Sequence, residues 1–124
     1  MNQLIYVIDD SRPVLMSMSS TLELTGYQVQ TATSPTVAID ELRSKRVDLI
    51  ITDINMPEMD GLELIRTIRS AGANQFTPIL TLTTKAQERK RQAAKEAGAN
   101  GWLIKPIFAP NLDKVLKQLL SREG

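Results

Sequence analysis

The chain has 124 residues and contains neither cysteine nor histidine. Without cysteine there are no disulfides, thiolate nucleophiles or thiolate metal sites, and without histidine the commonest general base near neutral pH is missing. Any bound metal must then be held by hard oxygen ligands, which points to Mg²⁺ or Ca²⁺. Neither sign of charge is in excess, since 15 Lys and Arg against 14 Asp and Glu leave a formal net charge of +1. Bulk electrostatics therefore predict no nucleic-acid partner. No apolar run approaches the ~20 residues that a membrane span requires, and the N-terminus enters a strand-like run with no cleavable signal pattern. These features predict a cytoplasmic protein with no membrane contact.

What is present is an ordinary globular composition, 42% hydrophobic and 23% charged, at a length that suits one core. Short β-rich runs alternate with helical stretches. The strand candidates are residues 4–8 (LIYVI), 27–32 (YQVQTA), 47–52 (VDLIIT), 78–83 (PILTLT) and 101–105 (GWLIK). Three are continuous enough in apolar residues to lie inside a parallel sheet covered on both faces. The first helix, about 13–25, carries Val14, Met18 and Leu22 and stops at Gly26. Ser34-Pro35 reads as the cap and first-turn proline of a second helix, with Val37, Ala38, Ile39 and Leu42 inside it. A third follows Asp60-Gly61 and carries Leu62, Leu64, Ile65 and Ile68. A fourth runs from about Lys85 to Ala97, ending at Gly98, and a fifth, 110–121, bears an apolar stripe from Leu112 to Leu120. Five such βα units with short, right-handed crossovers predict an α/β fold, a doubly wound five-stranded parallel sheet in three α/β/α layers. The whole chain, 1–124, is read as a single domain without an attached effector.

In such sheets the functional crevice lies beyond the carboxyl ends of the strands. Strand 1 exits into Asp9-Asp10, strand 3 into Asp53, strand 4 into Thr83-Thr84 and strand 5 into Lys105-Pro106. An acid after a strand is most often a turn or cap residue, and only the coincidence of these groups on one rim favours a site. If strands 1 and 3 are neighbours, about 4.8 Å apart, their carboxylates converge. Three acids at close quarters need a raised pKa, a metal ion or Lys105 to coexist, and Mg²⁺ together with Lys105 is the expectation.

As a set, D-D after strand 1, D-I-N-M-P-E-M-D-G from Asp53 to Gly61, T after strand 4 and K-P after strand 5 resemble a response-regulator receiver domain. The likeness covers essentially the whole chain and is greatest to the single-domain, CheY-like chemotaxis type. The resemblance implies a flavodoxin-like strand order of 2-1-3-4-5. It makes Asp53 the phosphoryl acceptor, with Asp10 a direct Mg²⁺ ligand, Asp9 a ligand through water and the backbone carbonyl of Asn55 completing the set. Lys105 and Thr83 would serve the phosphoryl group, and a cis Lys105-Pro106 bond would aim the lysine inward. Thr83 and Trp102 would form the switch, moving the surface of helix 4, strand 5 and helix 5. The implied partners are a sensor histidine kinase, CheA-like, as phosphodonor, a downstream target protein such as the flagellar switch, and a phosphatase, around a monomer. The chain departs from the family in Trp102, where Tyr or Phe is commoner, in Thr84, where a small residue is usual, and in Ile107, which replaces a frequent Phe.

A phosphatase of the haloacid-dehalogenase kind uses a similar Asp, Mg²⁺, Thr and Lys set. It also needs an Asp two residues after the nucleophile as acid and base, where this chain has Asn55, so no turnover enzyme is expected beyond self-phosphorylation and slow dephosphorylation. A nucleotide-binding loop is disfavoured because DDSRP contains no glycine to let backbone amides approach phosphates. A non-catalytic module of the same fold is disfavoured by the complete residue set. Lys85, Arg89, Lys90 and Arg91, tempered by Glu88, read chiefly as a solvated face, and without interleaved aromatics they make a poor nucleic-acid site.

Overall fold

A computed structural model describes residues 3–105, 107 and 109–120. The strands are β1 (Leu4–Ile8), β2 (Gln28–Ala32), β3 (Leu49–Asp53), β4 (Ile79–Thr83) and β5 (Gly101–Ile104). The helices are α1 (Arg12–Leu24), α2 (Pro35–Ser44), α3 (Gly61–Ser70), α4 (Arg91–Ala97) and α5 (Ala109–Leu120). All four strand pairings are parallel, in the order β2-β1-β3-β4-β5. The three unbroken apolar runs are the three central strands, with β3 and β4 buried throughout, whereas β2 and β5 at the edges are partly exposed. Central strands lose both faces to helices, so alternation vanishes from their sequences.

Alternate strand residues feed two cores. Tyr6, Ile8, Ile50 and Ile79 pack with Ala38, Ile39 and Leu42 of α2, Leu64, Ile65 and Ile68 of α3 and Ala97 of α4. Ile5, Val7, Leu49, Ile51, Leu80 and Leu82 pack with Leu15, Met18 and Leu22 of α1 and Leu112, Leu116 and Leu120 of α5. Chain direction across the sheet reverses between β1 and β3, which places a crevice at their carboxyl ends.

Helix starts follow local chemistry. Ser11, Ser34 and Asp60 each accept a bond from a first-turn backbone N–H, and proline opens α2. Three boundaries differ from the sequence reading in a way that bears on the site. Asp53 is the last residue of β3 rather than the first beyond it, because it still pairs with Leu82 of β4, and the strand starts at Leu49, two residues later than expected. Asp48 instead accepts the Leu4 N–H at 2.7 Å. The expected fourth helix divides into a 3₁₀ segment, Lys85–Lys90, and the shorter α4. At its start the Gln87 N–H donates to the Thr84 carbonyl, and the Gln87 side chain accepts the Thr84 N–H at 2.9 Å. That reciprocal pair tightens the first turn into i to i+3 bonding.

Candidate functional site

The β1–β3 register sets Ile8 beside Thr52, so Asp9 lies abreast of Asp53. Asp9, Asp10 and Asp53 each offer a carboxylate oxygen within 4.8 Å of the others. Asp9 is 0% exposed, Asp53 is buried and Asp10 faces solvent. Asp9 Oδ1 accepts the Ser11 N–H at 2.9 Å, which ties the first acid to the cap of α1. Its Oδ2 is buried without a hydrogen bond among the described residues and faces the Lys105 ammonium, 3.1 Å away.

Lys105 is carried just past β5, where its N–H donates to the Thr83 carbonyl at 2.7 Å. Its Nζ lies 3.5 Å from Asp53 Oδ2, bridging the two buried acids. Burial pulls the ammonium's pKa down, but its contacts with Asp9 and Asp53 outweigh burial and leave it raised. Lys105 is therefore charged at neutrality. Burial pushes the Asp53 carboxyl up, and the Asp9 charge adds to the effect. The Lys105 charge and the Asn55 and Ile54 backbone N–H groups oppose that rise without cancelling it. Three clustered carboxylates with one ammonium between two of them leave excess negative charge, and Asp9 Oδ2, buried and held by no hydrogen bond among the described residues, has only that ion pair, so a hard divalent cation would complete the balance. The residues present thus fit Mg²⁺.

Asn55 is exposed on the loop after β3, and its backbone N–H reaches Asp53 Oδ1 at 3.4 Å. Its side-chain oxygen accepts from Lys90 Nζ at 3.0 Å, a contact the sequence reading missed by treating Lys90 as part of a solvated basic face. Nothing in spacing signals it, because the two residues are 35 positions apart. Thr83 stands one register position beyond Asp53 on the neighbouring strand. Its hydroxyl is buried and donates to the Leu103 carbonyl at 3.3 Å, so it is not joined to the acid cluster here. Trp102 is 40% exposed, which rules out a packed core aromatic, and the Arg91 guanidinium sits 3.5 Å from the ring centroid. Ile107 packs against the core shared by α1 and α5. Pro106, on which the cis-peptide reading falls, and the Lys85 side chain lie outside the described residues.

Nor is any helix among the described residues long and apolar enough to cross a membrane. A five-stranded 2-1-3-4-5 sheet with an acidic cluster and a lysine at its switch point defines a receiver-type signalling domain. Residues 5–117 match the family model for the response regulator receiver domain, and the chain belongs to that family. It is 38% identical over 118 residues to response regulator MprA of Mycobacterium avium, covering 95% of this chain and 51% of that protein. The chain thus spans about half the length of the curated relatives it matches. Chemotaxis response regulator CheY4 of Vibrio cholerae superposes with a TM-score of 0.89 at 38% identity, over 97% of this chain and 100% of that one. The receiver domain of sensor histidine kinase PA1611 from Pseudomonas aeruginosa, solved with a magnesium ion coordinated in its active-site cleft, gives 0.89 at 26% identity, over 98% and 99% of the two chains.

Proposed function

We propose that this domain takes a phosphoryl group onto Asp53 in a Mg²⁺-dependent reaction and uses it to switch a protein-binding surface. The observation that carries the reading is the Lys105 ammonium lying between the Asp9 and Asp53 carboxylates at the strand switch point. Asp10 directly, Asp9 through water, Asp53 and the Asn55 backbone carbonyl would hold the metal. When bound, Mg²⁺ neutralises charge on the carboxylates and on the incoming phosphoryl oxygens.

In the transfer, an Asp53 carboxylate oxygen attacks the donor's phosphorus while the bond to the leaving group breaks, producing an acyl phosphate. Lys105 balances charge without giving up a proton, and the Asn55 backbone N–H steadies the second oxygen. Asn55 supplies no acid or base for rapid hydrolysis, which supports a persistent signal rather than a turnover enzyme. Thr83, released from the Leu103 carbonyl, would bond the phosphoryl group, and Trp102 would follow. The donor on this reading is a sensor histidine kinase, as membership of the receiver family supports, since these residues include no histidine that could carry the phosphoryl group. Chemotaxis is supported by the match to CheY4, and an output of another kind by an equal identity to response regulator MprA, so target binding is the deciding measurement.

The test is incubation with Mg²⁺ and acetyl phosphate, followed by mass spectrometry. A single phosphoryl adduct is expected that fails to form when Mg²⁺ is chelated beforehand and in Asp53→Asn. Rapid turnover of many phosphate monoesters would favour a phosphatase instead.

A further inference from the structure

The acids of the site outnumber their half-buried ammonium by three to one, and Lys105 is engaged by both Asp9 and Asp53. An anionic phosphodonor therefore approaches a mouth of its own sign. A second ammonium stands at that mouth. Lys90, last residue of the 3₁₀ segment, donates to Asn55 Oδ1 at 3.0 Å, two residues along the chain from Asp53. Among the described residues Lys90 has no carboxylate partner, so its charge is held in place by a neutral amide and is not cancelled by a counter-ion. Its neighbour Arg91 is occupied elsewhere, by Glu88 at 3.4 Å and the Trp102 ring. The turn of 3₁₀ helix thus sets one cation on the loop that leaves Asp53 and the next against the Trp102 ring.

We propose that Lys90 is a donor-steering residue: tethered by Asn55, it accelerates capture of anionic phosphoryl donors at Asp53 and, as a positive charge beside the acids, weakens Mg²⁺ binding. This rests on Asp53 being the phosphoryl acceptor. Opposite signs for donor and metal follow from Coulomb's law alone, and both effects decay with salt because Lys90 lies at the solvent boundary.

The experiment compares the full chain with Lys90→Met and Lys90→Arg. Phosphorylation rates are measured at saturating Mg²⁺ with acetyl phosphate and with the less negative phosphoramidate, at about 0.02 M and about 0.5 M ionic strength. Mg²⁺ affinity of the unphosphorylated proteins is measured by calorimetry. Lys90→Met should slow acetyl phosphate about threefold to tenfold at low salt, slow phosphoramidate less, and match the wild type at high salt. The same variant should bind Mg²⁺ about twofold to fivefold more tightly, and Lys90→Arg should restore both properties. An unchanged low-salt rate, an equal loss with both donors and both salts, or weaker Mg²⁺ binding alongside slower transfer would each overturn the proposal. An adduct that survives Asp53→Asn would instead remove the acceptor assignment, and the inference with it.

Discussion

Asp53 carries an electrostatic conflict that its folded environment does not resolve. Burial and Asp9 raise its pKa above the ordinary carboxylate value despite Lys105. A carboxyl with a folded pKa above its unfolded value retains its proton longer when folded. Its contribution to stability therefore falls as pH rises through that folded value and is unfavourable at neutrality. Asp53→Asn should accordingly stabilise the metal-free protein at pH 7, seen as a rise in its unfolding midpoint. The advantage should narrow as the pH falls through the raised folded value and vanish only below the unfolded carboxyl's own pKa, about 3.9, and it should narrow also on saturation with Mg²⁺, which stabilises only the wild-type acid cluster fully. Calorimetric scans across pH decide the matter. A variant less stable than wild type at pH 7 would contradict the conflict. Elsewhere polar groups are matched by partners: Tyr6 donates to Glu41, and Arg69, whose guanidinium burial also disfavours, donates to the carbonyls of Thr77 and Gly98 and so ties α3 to the segments flanking β4 and α4.

Elements meet most tightly where α3 begins. Gly61 donates its N–H to the Ile54 carbonyl, and a Cβ there would fall 2.4 Å from the Asp53 carbonyl oxygen and 2.7 Å from Ile54 Cα. Both clashing atoms are backbone, so no side-chain rotation relieves them. Gly61→Ala should push α3 away from the end of β3, costing about 1 to 3 kcal/mol and slowing phosphorylation because Asp53 moves with the strand. Asp60→Ala is the matched control. It removes the cap on the Glu63 N–H, 2.8 Å, at a cost of about 1 kcal/mol but leaves β3 in place. Urea titration together with the adduct assay separates the two. Equal phosphorylation in both variants would refute the role given to Gly61.

Across the molecule, the question is how a charge at Asp53 reaches the face formed by α4 and β5. Thr81 and Trp102 are register partners on β4 and β5, and a cavity of about 260 Å³ bounded by Thr81, Arg91, Ala94, Lys95, Gly101 and Trp102 adjoins the ring. That cavity is partly open to solvent, so the ring has free space beside it on the α4 side. What opposes rotation is the Arg91 stack, worth about 0.5 to 2 kcal/mol. Linkage requires that a partner or mutation favouring the inward ring also favours phosphorylation. Arg91→Ala should therefore enlarge the inward population and raise the response to beryllofluoride with Mg²⁺. Trp102 is the only tryptophan, so its fluorescence reports the change without interference. An unresponsive signal in wild type and variant would dismiss this coupling while leaving Asp53 phosphorylation intact.

Much of this architecture was legible in the order of residues, and the reason is local. Unbroken apolar runs marked β1, β3 and β4 because parallel strands buried on both faces admit no polar alternation. Ser34-Pro35 and Asp60-Gly61 marked helix starts because an oxygen acceptor and the following backbone suffice to begin a turn. Placing Asp9, Asp53 and Lys105 on one rim needed only strand ends and the rule that parallel crossovers return to the same side. Tertiary structure alone decided the contacts between remote segments: Lys90 on Asn55, Arg91 on Trp102 and the Thr83 hydroxyl on Leu103. Those depend on register to within one residue, on a 3₁₀ turn where helical periodicity suggested α, and on rotamers chosen by packing. Such quantities are properties of the closed fold, since each is selected by neighbours that the chain brings close only after the sheet and its helices have assembled.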